Sequence, residues 1–265
     1  MLELPLLENE LQEKLINLIN TGYLLAIKAE FEAEGTRIDE LAILSEICCK
    51  NNVPLTLKIG GPSAQRDFYE AFQIGANNIL IPMVESRFAL RNSIDIYRSM
   101  INLFKDLGNI PILSFNIESS LAVKNIDSIF QFIKEDCSPI SEIVIGRTDL
   151  SSSMGLADVN SEKIFKISES LLKRKNIKVN VGGNLSRSSY KFIDSLTKVG
   201  LYSFESRKCT FKCSNSLSNE SFANLIAKGL EFEISWLNYK KKLYQDRSGS
   251  ENYRIESIKK RLLKG

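Results

Sequence analysis

Histidine is missing altogether from this 265-residue chain. A Ser-His-Asp triad, a Cys-His pair, a His-bound zinc and a histidine general base are therefore excluded together. Any chemistry must run on carboxylates, Lys, Arg, Tyr, Ser, Cys, backbone amides or a bound hard metal. Long apolar runs are missing too: none approaches the roughly 20 residues needed to cross a bilayer, so no membrane partner is expected. The opening "MLELPLLENE" lacks the basic start and apolar middle of a signal peptide, and the expected location is the cytoplasm. No Gly-x-Gly-x-x-Gly follows a strand-like run, no P-loop is present, and no internal repeat stands out. Excess charge is small, at +3, with basic and acidic residues interspersed until the C-terminal tail, which argues against a nucleic-acid partner. Five cysteines, Cys48, Cys49, Cys137, Cys209 and Cys213, have no histidine to complete a zinc site and read as reduced thiols.

What is present is ordinary globular material, 43% hydrophobic and 25% charged, enough for one large domain. Short apolar β-type runs alternate with longer segments of helical period, the pattern of a parallel sheet wrapped by helices. The strand candidates span 23–31, 54–60, 78–84, 110–117, 142–148, 177–183 and 200–206. Helix candidates lie near 8–20, 37–51, 63–75, 86–107, 121–134, 160–174 and 186–198. This alternation predicts a (β/α)8 TIM-type barrel over 1–212, with a doubly wound open sheet as runner-up. One β/α unit is degenerate or missing, and the compressed segment before residue 40 is where it is expected. Residues 213–265 form a helical extension with a Ser/Gly break at 248–250. Phe222, Leu225, Ile226, Leu230, Ile234 and Leu237 share one helical face beside Trp236, a stripe expected to pack on the barrel or on a neighbouring subunit.

In a parallel barrel the working face lies at the C-terminal ends of the strands. Those ends carry Lys28, Glu30, Glu32 and Glu34; Lys58, Gly60 and Gly61; Glu85; Asn116 and Glu118; Arg147 and Asp149; Gly182, Gly183 and Asn184; Glu205 and Arg207. Carboxylates meeting in a partly dry mouth repel, and a hard divalent cation held between Glu118 and Asp149 relieves that repulsion. Lys58, Arg147 and Arg207 offer charge-assisted donors to an anionic substrate, and the glycines of "KIGG" let backbone amides approach it. Each charged residue taken singly also fits an ion pair that closes the barrel top.

"LKIGGPSAQRDFYEAFQIGANNILIPMVES", "FNIESSLAVKNIDSIF" and "EIVIGRTDLSSSMG", in that order and spacing, resemble the HpcH/HpaI aldolase/citrate lyase family. The resemblance is closest over about 53–156. It implies a barrel that binds Mg2+ or Mn2+ through Glu118 and Asp149, and a 2-oxo acid such as pyruvate whose enolate the metal stabilises. Lys58 stands where many members have an arginine that supports the enolate oxygen. Amides near Gly146 and in the Pro82–Met83 turn would hold the substrate carboxylate, with Glu205 and Arg207 at its rim. The family's acid/base histidine has no counterpart, so Glu32 or Glu34 is expected in that role. The added charge suits a polar, sugar-derived or phosphorylated aldehyde as second substrate. A homo-oligomer is implied as well. Two other readings stay open: an acyl-CoA lyase of the citrate lyase type, and a non-catalytic binding protein that lost activity with the histidine.

Overall fold

The computed structural model describes residues 3–262 apart from 107, 137, 175 and 176, so Cys137 lies outside the described residues. Eight strands close into a barrel in chain order: β1 (Leu24–Glu30), β2 (Leu55–Lys58), β3 (Asn78–Ile81), β4 (Ile112–Ile117), β5 (Ile140–Gly146), β6 (Lys178–Gly182), β7 (Ser203–Glu205) and β8 (Cys209–Lys212). Helix α1 (Glu3–Ile19) precedes β1, and α2 (Ile38–Lys50), α3 (Gln65–Gln73) and α4 (Arg87–Leu103) follow the first three strands. Helices α5 (Ser120–Lys124) and α6 (Ile126–Glu135) follow β4, α7 (Arg147–Ser153) and α8 (Glu162–Leu172) follow β5, and α9 (Tyr190–Thr197) follows β6. All seven expected strands are present, each within a few residues of its expected bounds.

The eighth strand corrects the expectation about where the irregular unit lies. It is not before residue 40 but directly behind β7, and it pairs antiparallel with both β7 and β1. No helix intervenes, because only residues 206–208 separate the two strands. A pattern search for one strand per helix passes over a four-residue return strand, since "CTFK" reads as the tail of the strand before it.

Side chains alternate sharply across the barrel wall, as the two-residue period of a strand requires. Ile27, Ala29, Leu57, Ile79, Ile81, Phe115, Ile117, Ile143, Ile145 and Val181 join the apolar cluster between sheet and helices. Burying each large one stabilises the fold by roughly 1.5–3 kcal/mol. The intervening positions face the barrel interior and are strongly polar: Lys28, Glu30, Thr56, Lys58, Ser114, Asn116, Glu142, Asn180, Ser203 and Glu205 are all buried. Among the described residues, only Ala26, Leu80 and Val144 are buried strand residues of apolar type outside that cluster. Interior bonds such as Ser114 Oγ to Asn78 Oδ1 (2.8 Å) and Asn180 Nδ2 to Glu142 Oε2 (3.1 Å) partly offset the cost of this burial.

Helix α10 (Asn219–Leu262) runs unbroken through Ser248–Gly249–Ser250, where a break was expected. A glycine within a helix costs only about 1 kcal/mol, which 44 residues of helix absorb. Its buried face also differs from the expected stripe. Phe222, Leu225, Ile226, Phe232, Trp236 and Tyr239 are buried, whereas Leu230, Ile234 and Leu237 are exposed. The helix lies antiparallel to α1, with Lys14 on Glu231 at 3.0 Å and Ser235 donating to Glu10 at 2.9 Å. No helix among the described residues is long and apolar enough to cross a membrane.

Candidate active site

Glu118 is the first residue past β4 and is 2% exposed. Its Oε1 accepts the Met83 backbone N–H at 2.8 Å, and its Oε2 accepts Asn116 Nδ2 at 2.7 Å and the Lys58 ammonium at 3.5 Å. Met83 adopts φ +52, a left-handed conformation that costs a non-glycine residue about 1 kcal/mol or more. That twist, just after Pro82, turns the amide toward the carboxylate. Gly146, at the end of β5, leaves the space that Glu118 occupies: a Cβ there would lie 2.9 Å from both Glu118 Cβ and Oε2. Gly182 does the same for Glu205, whose Cγ and Oε1 would be 3.0 Å from an added Cβ. Strand-end glycines thus make room for the carboxylates of neighbouring strands.

The buried charges form a ring of pairs. Lys28 contacts Glu205 at 2.7 Å and Glu30 at 3.3 Å; Lys58 contacts Glu32 at 2.5 Å as well as Glu118; Lys208 is bonded to Glu34. These pairs join five carboxylates to three lysines, so negative charge is in excess. Burial pushes the Glu118 carboxyl above the usual range, against the pull of Lys58. Burial also opposes charge on Lys28 and Lys58, but the surrounding glutamates more than offset it and raise both. For Lys208 burial wins, and its affinity for the proton is lowered despite Glu34.

Of the residues singled out in the sequence, Lys58, Glu32 and Glu118 converge, and Glu34 and Glu205 belong to the same ring. Asp149 stands three residues beyond Gly146, in the first turn of α7, and is exposed. Arg147 departs from expectation. It opens α7 instead of ending a strand, is 0% exposed, and donates from Nε to Gly182 O (3.0 Å), from Nη1 to Asn160 Oδ1 (2.5 Å) and from Nη2 to Gly183 O (2.6 Å). Its guanidinium packs over Phe192 of α9, 4.9 Å from the ring centre, and burial lowers its pKa to about 10. Arg147 therefore ties α7 to β6 and α9 and presents no surface to a ligand. The Gly60 amide is likewise taken, by Asp67 Oδ2 at 2.7 Å, while Gly61 faces open space. Arg207 sits exposed in the β7–β8 turn, 4.0 Å from Glu233. Lys208 escaped sequence reading because nothing in "ESRKC" marks a lysine for burial.

The donor set suits a hard divalent cation. Mg2+ is commonly held by one or two carboxylates with the rest of its shell from water and substrate. Glu118 and Asp149 are of the right type, the ring carries excess negative charge, and Asn116 Oδ1 beside Glu118 is a buried oxygen with no hydrogen-bond partner among the described residues. No group of three or more metal-ligating side chains occurs among the described residues, so protein ligands alone would not complete such a shell.

An HpcH/HpaI aldolase from Desulfitobacterium hafniense DCB-2 superposes with a TM-score of 0.55 at 16% identity, covering 68% of this chain and 75% of that one. The citrate synthase SbnG gives 0.57 at 16% identity over 74% and 82%, and a family protein from Burkholderia cenocepacia J2315 gives 0.57 at 12% over 86% and 84%. At such identities the likeness is one of fold. No curated protein matches the sequence. The sequence model for HpcH/HpaI aldolase/citrate lyase matches residues 44–179, just over half of the chain, which therefore belongs to that family.

Proposed function

We propose that the protein is a carbon–carbon lyase of the aldolase type, working through the enolate of pyruvate or a related 2-oxo acid with a polar aldehyde as partner. The observation that carries this reading is the buried Glu118 carboxylate, aimed by the Met83 amide and Asn116 into a ring with excess negative charge. Glu118 and Asp149 would hold Mg2+ or Mn2+, which when bound supplies Lewis acidity toward an enolate oxygen. Lys58 brings a fixed ammonium to the same charge. Glu32, paired with Lys58, and Glu34, paired with Lys208, would take the proton of the partner's hydroxyl as the bond breaks and return it. The polar surroundings of Lys58 and Glu118 disfavour apolar substrates.

Titration calorimetry with oxalate, a planar enolate mimic, tests the site. Binding is expected only with Mg2+ or Mn2+ present, and Glu118→Gln or Asp149→Asn should weaken it at least about tenfold, the factor that 1.4 kcal/mol represents. Metal-dependent oxalate affinity retained in both variants would overturn the assignment. The homo-oligomer expected from the sequence would have Leu230, Ile234 and Leu237 as apolar surface to cover. A monomeric mass by light scattering at high protein concentration would remove that part of the reading.

A further inference from the structure

A cleft of about 670 Å³ opens at the rim of the mouth between the starts of α2 and α3, lined by Phe31, Thr36, Arg37, Asp39, Arg66 and Glu70 among others. That volume is in the range of small-molecule sites. It adjoins the reacting groups along the chain: Phe31 precedes Glu32, and Gly60, which also lines the cleft, lies two residues beyond Lys58.

The charges in the cleft select the chemistry of that molecule. Two helix N-termini point a positive end at it, an arrangement that ordinarily attracts an anion. Here the anions are built in. Glu40 accepts the Arg37 backbone N–H at 3.2 Å at the start of α2, and Asp67, in the first turn of α3, accepts the Gly60 N–H at 2.7 Å. Both arginines are engaged by their own carboxylates, Arg37 with Asp39 at 3.0 Å and Arg66 with Glu70 at 3.6 Å. The lining has three carboxylates, Asp39, Asp67 and Glu70, against two guanidiniums. A phosphate or carboxylate entering the cleft would meet a net negative wall. A hydroxyl can donate to a carboxylate and accept from a guanidinium at once, so rows of Arg–carboxylate pairs suit a chain of hydroxyls. The half-buried Phe31 ring adds an apolar face of the kind that covers sugar C–H groups.

Resting on the aldolase reading, we infer that this cleft is the subsite for the second substrate, and that this substrate is a neutral polyhydroxylated aldehyde rather than a phosphorylated or acidic one. In the cleavage direction the hydroxyl proton passes to a mouth carboxylate, the C–C bond breaks toward the enolate, and the polyol aldehyde leaves through the cleft. The same proton then completes the methyl group of the 2-oxo acid.

Two measurements on the full chain separate this inference from the reading beneath it. With pyruvate and Mg2+, erythrose should be consumed with kcat/KM at least about tenfold above glyceraldehyde 3-phosphate and butyraldehyde. Arg66→Ala, at a side chain 83% exposed and so harmless to folding, should raise the KM for erythrose about tenfold and that for pyruvate less than twofold. Independently of turnover, sorbitol should give saturation-transfer NMR signals that weaken in Arg66→Ala and in Glu70→Gln. Preference for the phosphorylated aldehyde, or sorbitol signals unchanged in both variants, overturns the inference. Absence of turnover with every aldehyde would strike at the aldolase reading, while the sorbitol result would still decide the cleft.

Discussion

One methyl group marks how tightly the site is built. Gly146→Ala would place a carbon 2.9 Å from Glu118 Cβ and Oε2, closer than atoms tolerate, and the carboxylate must swing off the Met83 amide. The cost of such overpacking is about 1–3 kcal/mol, and the variant is expected to lose at least tenfold in metal-dependent oxalate affinity by calorimetry. Gly108→Ala, where an added Cβ meets nothing within 4 Å, serves as the control. The thiols make a second prediction. Burial pushes Cys48 up to about 12 and Cys213 up to about 11, and Cys209 is raised further still. Cys49 is exposed. Mass spectrometry after brief alkylation of the native protein near pH 8 should find Cys49 modified well ahead of Cys48, Cys209 and Cys213.

Arg147 makes α7 an element held from within. Arg147→Met removes donors from the buried Gly182 O and from the half-buried Gly183 O and Asn160 Oδ1 together, and an unsatisfied buried acceptor costs about 1–3 kcal/mol before relaxation, less where water reaches it. The urea midpoint should fall by an amount equivalent to about 3 kcal/mol, read from the unfolding curve. If Arg147 instead bound ligand, the same variant would weaken oxalate and leave the midpoint in place. Gly183 belongs to this joint as well: at φ +87, an added Cβ would lie 2.6 Å from Thr148 N. The sequence made the seven parallel strands legible because each is a β-type run set off by a helical segment. It also made Glu118, Lys58 and Glu32 legible, since strand ends converge in a barrel. It misread Arg147 because a charged residue after a strand ordinarily faces solvent, and only the packed position of α9 shows that this one is enclosed. It misread the α10 stripe for a related reason. Which third of a long helix is covered depends on what lies beside it, and Leu230 is as apolar as Leu225.

Across the whole molecule, buried groups of several types respond to alkali in the same sense. Cys48, Cys209 and Cys213 are raised by burial, as are Tyr97 and Tyr239, and Lys28 is raised once its glutamate partners outweigh burial. Each holds its proton more tightly folded than unfolded. Its contribution to stability is complete below the unfolded value and declines as pH rises toward the folded one. Arg147 and Lys208, both lowered by burial, work in the opposite sense, but they are fewer. From about pH 9, the ordinary thiol value, the urea midpoint should therefore fall steadily toward pH 11. A Cys48→Ala and Cys213→Ala double variant should show a shallower fall, and an unchanged slope would contradict the burial of these thiols.

The reversal of β8 sets the direction in which the chain leaves the barrel. Seven strands climb from floor to mouth; β8 descends, so its end at Lys212 lies beside Tyr23 at the foot of β1. An eighth ascending strand would have released the chain at the top and sent its last helix downward. Here α10 starts at the floor and rises, passing the mouth at Glu233 and meeting the start of α2 where Lys240 contacts Glu40 at 3.0 Å. At 1.5 Å per residue, the stretch beyond Lys240 adds roughly 30 Å of helix past that contact. One short strand laid in the opposite sense has turned what would be a barrel's outer wall into a mast beside its entrance.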